Sequence, residues 1–281
     1  MTTINKKKVV FIMGCTGTGK SKLSVDVGTQ FPSEIINSDK IQVYKGLDII
    51  TNKIPEPKRH GVPHHLLGII DDPDMDYAEN DFCQHVLEAL DMITENGHLP
   101  IIVGGSNRYL EALVEDPKNE FRSKYDSCFI WLDVSLPVLF DYLSKRVDEM
   151  VEGGLIEEVR EAFVHEADYS KGIRRAIGLP ELHKYFQAEK ELVEDGEIYK
   201  EDLLRDCIQE MKDNTNKLAA LQLRKIHKLR EELGWEMHRI DGTKVFETVL
   251  SGKLAENVWD EIVLKPSLGI VRSFLNLNVE E

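Results

Sequence analysis

The sequence predicts an α/β fold, a parallel sheet core flanked by helices with a mostly helical C-terminal portion closing over the site. Three observations carry this. An apolar run over 9–13 leads into Gly14-Cys15-Thr16-Gly17-Thr18-Gly19-Lys20-Ser21, which fits G-x-x-x-x-G-K-[ST] at every fixed position and is followed by helical character from Lys22. Three more short apolar runs, 34–38, 100–103 and 128–134, alternate with helical patterns, as in a parallel sheet with crossover helices. Beyond residue 136 the pattern is helical apart from one returning strand at 235–240. The core is therefore of the P-loop NTPase-like type. Residues 1–135 read as the P-loop α/β core and 136–281 as a helical portion with a returning strand, the two forming one compact unit.

The loop comes first because its chemistry is the most specific. Its amides, from Gly14, Cys15, Gly17, Thr18 and Gly19 onward, and the following helix N-terminus form a nest for phosphate or diphosphate. Lys20 adds a point charge, and the Ser21 hydroxyl is a ligand for Mg²⁺. The motif does not say whose phosphates bind. The first helix spans 22–30 and ends before Pro32. The second strand, 34–38, delivers Asp39 to the crevice at the strand ends, beside the phosphates; the same aspartate also suits a helix cap or turn.

Residues 42–63 are polar, contain Pro55, Pro57 and Pro63, and read as a basic surface loop carrying Lys45, Lys53, Lys58 and Arg59. His64 and His65 are adjacent in an extended segment and point to opposite sides, which predicts structural hydrogen bonding rather than a shared metal. A helix over 79–97 has Phe82, Val86, Leu90 and Ile93 on one face and Gly97 at its stop. The strand at 100–103 ends in Gly104-Gly105-Ser106, where glycines admit close approach of a ligand or a tight turn. A further helix follows over 108–114, and 115–126 is short and polar. Asp133, at the end of strand 128–134, is either a second metal-site aspartate or a residue that orders the next loop.

Pro137 opens a helix continuing over 138–151 with Lys145 and Arg146; Gly153-Gly154 breaks it before another at 155–163. Within 169–180, Arg174-Arg175-Ala176-Ile177-Gly178 is a compact basic turn set among acidic flanks and suited to an anion contact. Helical character returns at 181–194, then a long amphipathic helix runs over 200–233 with Lys217, Arg224 and Lys225. Short helices at 244–250 and 256–263 finish the fold, and Pro266 starts a tail.

Composition narrows the function classes. Hydrophobic residues make up 42% of the 281 residues and charged ones 30%, which supports a sizeable core, and no apolar run is long enough to span a bilayer. No membrane partner is expected. Met1 to Lys8 has no apolar signal core, so the chain as given reads as cytoplasmic, with a plastid location open if a transit peptide has been removed. Four cysteines without paired spacing read as isolated thiols. The first sixty residues hold 10 Lys and Arg against 5 Asp and Glu, although the whole chain carries a net charge of −15. Positive charge gathers around the phosphate loop rather than on a broad basic surface, which favours a small phosphorylated ligand over nucleic acid.

The blocks GCTGTGKS, INSDKIQVYKGLDIITNK (36–53), VPHHLLG (62–68), VGGSNRYLEAL (103–113), RVDEMVEGGLIEEVR (146–160), GIRRAIG (172–178) and NTNKLAALQLRKI (214–226) occur in that order. Together the set resembles the isopentenyltransferase family, whose members prenylate the N6 amine of adenine. The resemblance spans residues 9 to about 241. Among its branches the chain is most similar to plant-type adenylate isopentenyltransferases, which start cytokinin synthesis. The tRNA dimethylallyltransferases are the alternative; they usually carry a helical insertion where this chain has only 115–126, and no Cys/His finger is present here. Cys15 departs from the proline or alanine of many relatives, and its side chain is expected to point away from the phosphates.

The resemblance implies that the loop holds the diphosphate of dimethylallyl diphosphate as a leaving group, with ATP, ADP or AMP as acceptor and Mg²⁺ as cofactor. It implies a hydrogen bond from Thr16 to the bridging oxygen and a clamp completed by Arg146, Arg175 and Arg224. Asp39 is the implied general base, and Lys53 and Lys217 the implied holders of the acceptor phosphates. Two other classes stay open: a P-loop small-molecule kinase transferring a γ-phosphate, and a non-catalytic nucleotide-binding switch.

Overall fold

The structure, a computed structural model, describes residues 6–191 and 197–277. Its strands are β1 (Lys7–Met13), β2 (Ser33–Asn37), β3 (His64–His65), β4 (Leu99–Val103), β5 (Tyr125–Asp133) and β6 (Met237–Asp241). The helices of the first half are α1 (Lys20–Gly28), α2 (Glu79–Glu95), α3 (Asn107–Glu115) and the single turn α4 (Phe121–Lys124). Those of the second half are α5 (Leu136–Glu152), α6 (Leu155–Ala162), α7 (Leu179–Glu191), α8 (Glu197–Glu231), α9 (Thr243–Leu250), α10 (Glu256–Trp259) and α11 (Lys265–Leu275). The predicted helical residues 192–194 and part of the polar N-terminal stretch lie outside the described residues.

All six strands form one parallel sheet in the order β3-β2-β4-β1-β5-β6. β1 is central and apolar on both faces, as a strand covered by helices on each side must be. Its alternate residues feed two cores: Val9, Phe11 and Met13 pack with α2 and α3, and Val10 and Ile12 pack with α1 and the C-terminal helices. Each such side chain, fully removed from water, contributes roughly 1.5–3 kcal/mol. A third cluster lies in the helical half, where Leu155, Val159, Leu182, Phe186 and Met211 pack around Val147 and Ile50.

The C-terminal prediction is overturned at Pro266. It does not start a tail but sits in the first turn of α11, and Asp260–Leu264 is a π-helical segment joining α10 to it. A wider π turn accommodates a proline whose ring would clash with the preceding turn of a regular helix. Lesser differences are at element ends: β5 starts at Tyr125 rather than 128, and the polar loop contains a 3₁₀ turn at Glu56–Arg59.

The histidine prediction is met. His65 Nε2 and His98 Nδ1 hydrogen-bond the two oxygens of Glu34 at 2.6 and 2.7 Å, and His64 Nδ1 bonds Val62 O at 2.8 Å. Burial pushes the Glu34 carboxyl up, but the two imidazole hydrogen bonds outweigh it and hold the group below the ordinary carboxylate range.

Candidate active site

The tips of β1, β2 and β4 open on one side of the sheet, and the helical half lies across them. The loop after β1 turns into α1 at Gly19, whose φ of +88° suits glycine and whose Cβ would meet the Trp259 ring at 2.8 Å. Trp259 packs beneath the turn and donates from Nε1 to Asp26 at 2.8 Å, so α10 braces the phosphate loop from behind. Cys15 is buried in the adjoining core, as expected from its direction, and burial pushes its thiol up to about 11. Thr18 donates from Oγ1 to Cys15 O at 3.0 Å.

Lys20 reaches back across the loop to donate to Cys15 O at 2.5 Å. Burial pushes its ammonium down to about 8; the Asp39 carboxylate draws it back up, and the Arg146 guanidinium adds to the depression. Arg146 comes in from α5. Its Nη2 donates to Thr16 Oγ1 at 3.2 Å, while its Nε is buried with no partner in the protein. A guanidinium with a buried, unmatched N–H beside a glycine-rich loop has the chemistry to hold an anion.

Asp39 follows β2 and is held by its neighbour. Asn37 accepts the Asp39 N–H and donates to the Asp39 carbonyl, each at 3.1 Å. One Asp39 carboxylate oxygen accepts the Ile41 N–H at 2.9 Å. The turn role and the crevice role thus coincide, because the same carboxylate lines two cavities.

The smaller cavity, about 260 Å³, runs from Thr16 and Arg146 past Asp39 into an apolar wall of Ile50, Val147, Met150, Ile177, Met211 and Leu218. The larger, about 820 Å³, is lined by Asp39, Tyr109, Leu218, Leu221 and Gln222, with Lys40, Arg108, Arg175 and Lys225 supplying cations. Asp39, Lys40, Ile41, Arg175 and Leu218 belong to both. Burial lowers the Lys40 ammonium and the charge of Arg175 lowers it further, with smaller contributions from Lys225 and Arg108, while Asp39 draws it back up. Arg108 and Arg175 are themselves ion-paired to Glu79 and Asp76 on the wall of the same cavity.

Not every predicted residue arrives. Arg175 stands where the two cavities meet, ion-paired to Asp76 at 3.2 Å with a buried, unpartnered Nε. Its neighbour Arg174 turns away to Asp74. Arg224 is exposed on α8 and lines neither cavity, because α8 turns it off the face that carries Leu218 and Gln222. Lys217 is likewise exposed and donates to Asn214 on its own helix at 3.1 Å. Lys53 folds under its loop to Asp48 at 2.9 Å and to Gly46 O, pinning the segment that presents Thr51 and Asn52. Asp133 pairs with Arg239 at 2.8 Å at the sheet edge and so orders the β5–β6 ends.

Sequence reasoning missed Gln222, Lys40 and Lys225 as site residues. A signal existed for two of them: Leu218, Leu221, Gln222 and Lys225 follow helical i, i+3, i+4, i+7 spacing, one continuous face. Among the described residues no cluster of three or more His, Cys, Asp or Glu can hold a metal ion. The Ser21 hydroxyl is exposed in the first turn of α1. One hydroxyl fits Mg²⁺ as a single ligand of the P-loop type, beside substrate phosphates and the waters this ion keeps.

The model of the IPP transferase family matches residues 42–124 and 115–228. Adenylate isopentenyltransferase 3, chloroplastic, of Arabidopsis thaliana is 50% identical, over 98% of this chain and 82% of that protein. The chain belongs to the IPP transferase family. Other relatives in the family include adenylate isopentenyltransferase 7, mitochondrial, of Arabidopsis thaliana, 48% identical over 97% of this chain and 82% of that one. Adenylate isopentenyltransferase of Humulus lupulus is 41% identical over 94% and 89%. Among solved structures, a eukaryotic dimethylallyltransferase acting on tRNA matches with a TM-score of 0.79 at 26% identity, over 98% of this chain and 81% of that one. The tRNA isopentenylpyrophosphate transferase of Bacillus halodurans matches at 0.73 and 24% identity over 97% and 99%, which shows the shared fold. Family membership makes the chain a prenyltransferase. No helix among the described residues is long and apolar enough to cross a membrane.

Proposed function

We propose that the enzyme transfers the dimethylallyl group of dimethylallyl diphosphate to the N6 amine of adenine in a free adenine nucleotide (ATP, ADP or AMP), releasing diphosphate. One observation carries the reading: two cavities share Asp39, one reaching the phosphate loop at Thr16 and Arg146 along an aliphatic wall, the other lined by Lys40, Arg108, Arg175 and Lys225 together with the carboxylates of Asp76 and Glu79. A five-carbon chain suits the first, with its diphosphate at Thr16, Lys20 and Arg146. A nucleotide suits the second, its phosphates near Lys40, Arg108 and Lys225 rather than the sequence-derived Lys53 and Lys217. The relatives named adenylate isopentenyltransferase and the net charge of −15 favour a free nucleotide over tRNA.

In this mechanism the C–O bond of the donor breaks and a bond forms from the allylic carbon to N6, with the N6 proton passing to Asp39. The adenine amine is a weak nucleophile because its lone pair is delocalised, so a carboxylate that takes its proton as the bond forms lowers the barrier. The loop amides, Lys20 and Arg146 stabilise charge as it gathers on the departing diphosphate, and Thr16 donates a hydrogen bond from its hydroxyl to the bridging oxygen, keeping its proton. Arg175, at the junction, draws the two substrates together. Ser21 would hold Mg²⁺, which supplies further charge neutralisation on the diphosphate when bound. The cation is therefore an expected requirement, and the location of the chain is left at that of a protein whose relatives carry chloroplastic and mitochondrial names.

The decisive experiment is mass spectrometry of ATP, ADP, AMP and a tRNA anticodon stem, each incubated with donor and Mg²⁺. A gain of one C5 unit on free nucleotide alone is the expected result. Gain on the stem alone would transfer the chain to the tRNA-modifying branch, and movement of a labelled γ-phosphate would make it a kinase.

A further inference from the structure

We infer that Gln222 is a positioning residue for the transfer, setting the spacing between the loop that holds the leaving diphosphate and the wall of the acceptor cavity. The inference rests on the prenyl-transfer reading above. Gln222 is buried mid-way along the site-facing stretch of α8, and both ends of its amide are matched. Oε1 accepts the Thr16 N–H at 2.7 Å, and Nε2 donates to Gly105 O at 3.1 Å. Its own carbonyl accepts from Asn107 Nδ2 at 3.2 Å. Rotating the amide by half a turn would set donor against donor and acceptor against acceptor, so the side chain has one state.

Thr16 and Gly105 follow β1 and β4, neighbours in the sheet. One side chain from the helical half thus fixes the distance between two strand tips. From Thr16 the connection runs on to Arg146, and from Gly105 through Ser106, whose Oγ accepts the Lys40 N–H at 3.0 Å, to the residue beside Asp39. Gln222 is therefore the link in a chain of contacts between anion clamp and base.

Gly105 fits this account. A Cβ there would stand 2.4 Å from Gln222 Nε2, and its three nearest atoms all belong to Gln222. Its φ lies outside the left-handed region, so the backbone itself tolerates alanine. The second glycine of Gly104-Gly105 is thus a seat for the amide, in addition to being a cavity wall.

The test uses the full chain and steady-state kinetics with dimethylallyl diphosphate and ADP on Gln222→Ala, Gly105→Ala and the double variant. Misplacement of reacting groups by about 1 Å costs on the order of 10²-fold. Gln222→Ala is expected to lower kcat by about 10- to 100-fold, with the donor KM changed less than about threefold. Gly105→Ala, which pushes the amide off its seat, is expected to lose kcat similarly. The double variant is expected to be no slower than Gln222→Ala, because the new methyl group enters space the amide has left. A kcat within twofold of wild type in folded Gln222→Ala, or losses that multiply in the double variant, overturns the inference. Should Gln222→Ala fail to fold, Gly105→Ala alone decides: normal kcat overturns the assignment and lowered kcat at unchanged KM supports it. Wild-type protein without turnover refutes the prenyl-transfer reading itself, before any variant is compared.

Discussion

Asp39 is fixed before substrate arrives: Asn37 holds its backbone from both sides and Ile41 N–H holds one carboxylate oxygen. Asp39→Asn keeps an oxygen for Ile41, so the fold and both KM values should persist while kcat falls by about 10²–10⁴-fold, read from initial rates of C5 transfer. Lys20 offers a second test. With its ammonium pushed down to about 8, the residue is charged below that pH and neutral above it. Diphosphate favours the charged form, so its affinity should be full below pH 8 and fall as pH rises through it, approaching tenfold per pH unit. Titration calorimetry with inorganic diphosphate between about pH 7 and 9.5 checks this, and Lys20→Met should flatten the profile. The loop and Asp39 were legible in the sequence because a local motif and a strand end locate them. Gln222 was not, since its partner Thr16 lies 206 positions away and a buried glutamine has no local signature.

The informative elements are α8 and the C-terminal helices. Periodicity identified α8 as amphipathic, yet Lys217 and Arg224, the two residues on it singled out by resemblance, point off the site while Leu218, Gln222 and Lys225 face it. Charge marks a surface, but only the rotation of the helix decides which surface, and that is set by its packing on α5, α7 and α3. At the C-terminus, Pro266 reads as a breaker unless the π turn before it is foreseen, and π turns have no reliable sequence signal. Of the C-terminal helices only α11 escaped the sequence pattern; α10 falls within the predicted helix over 256–263, and it matters because its Trp259 is almost fully buried against the N-terminus of α1. Trp259→Ala removes that brace and the hydrogen bond to Asp26, and should cost about 3–5 kcal/mol in urea unfolding. Donor KM should rise with it, because Gly19 loses the ring that supports its turn.

Across the whole molecule, charge and topology act together. A net charge of −15 surrounds a cavity whose Lys40, Arg108, Arg175 and Lys225 outnumber its carboxylates, Asp39, Asp76 and Glu79, so the site is a local exception to the acidic field of the rest of the surface. Raising salt from roughly 0.05 to 0.3 M should screen this attraction and raise the nucleotide KM several-fold with little change in kcat, measured at saturating donor. The uneven charge was visible in the first sixty residues; the clustering of cations from the loop after β2, α3, α8 and the Gly172–Arg175 turn was not, because it exists only after folding. The parallel sheet also places β6 beside β5 although about a hundred residues separate them in the chain. During synthesis, then, the ribosome releases a nascent core in which β5, paired with β1 on its inner side, has an open outer edge until Met237–Asp241 emerges. A chain stalled or truncated before that point would carry the bare backbone of Phe129–Asp133 as a template for its own aggregation.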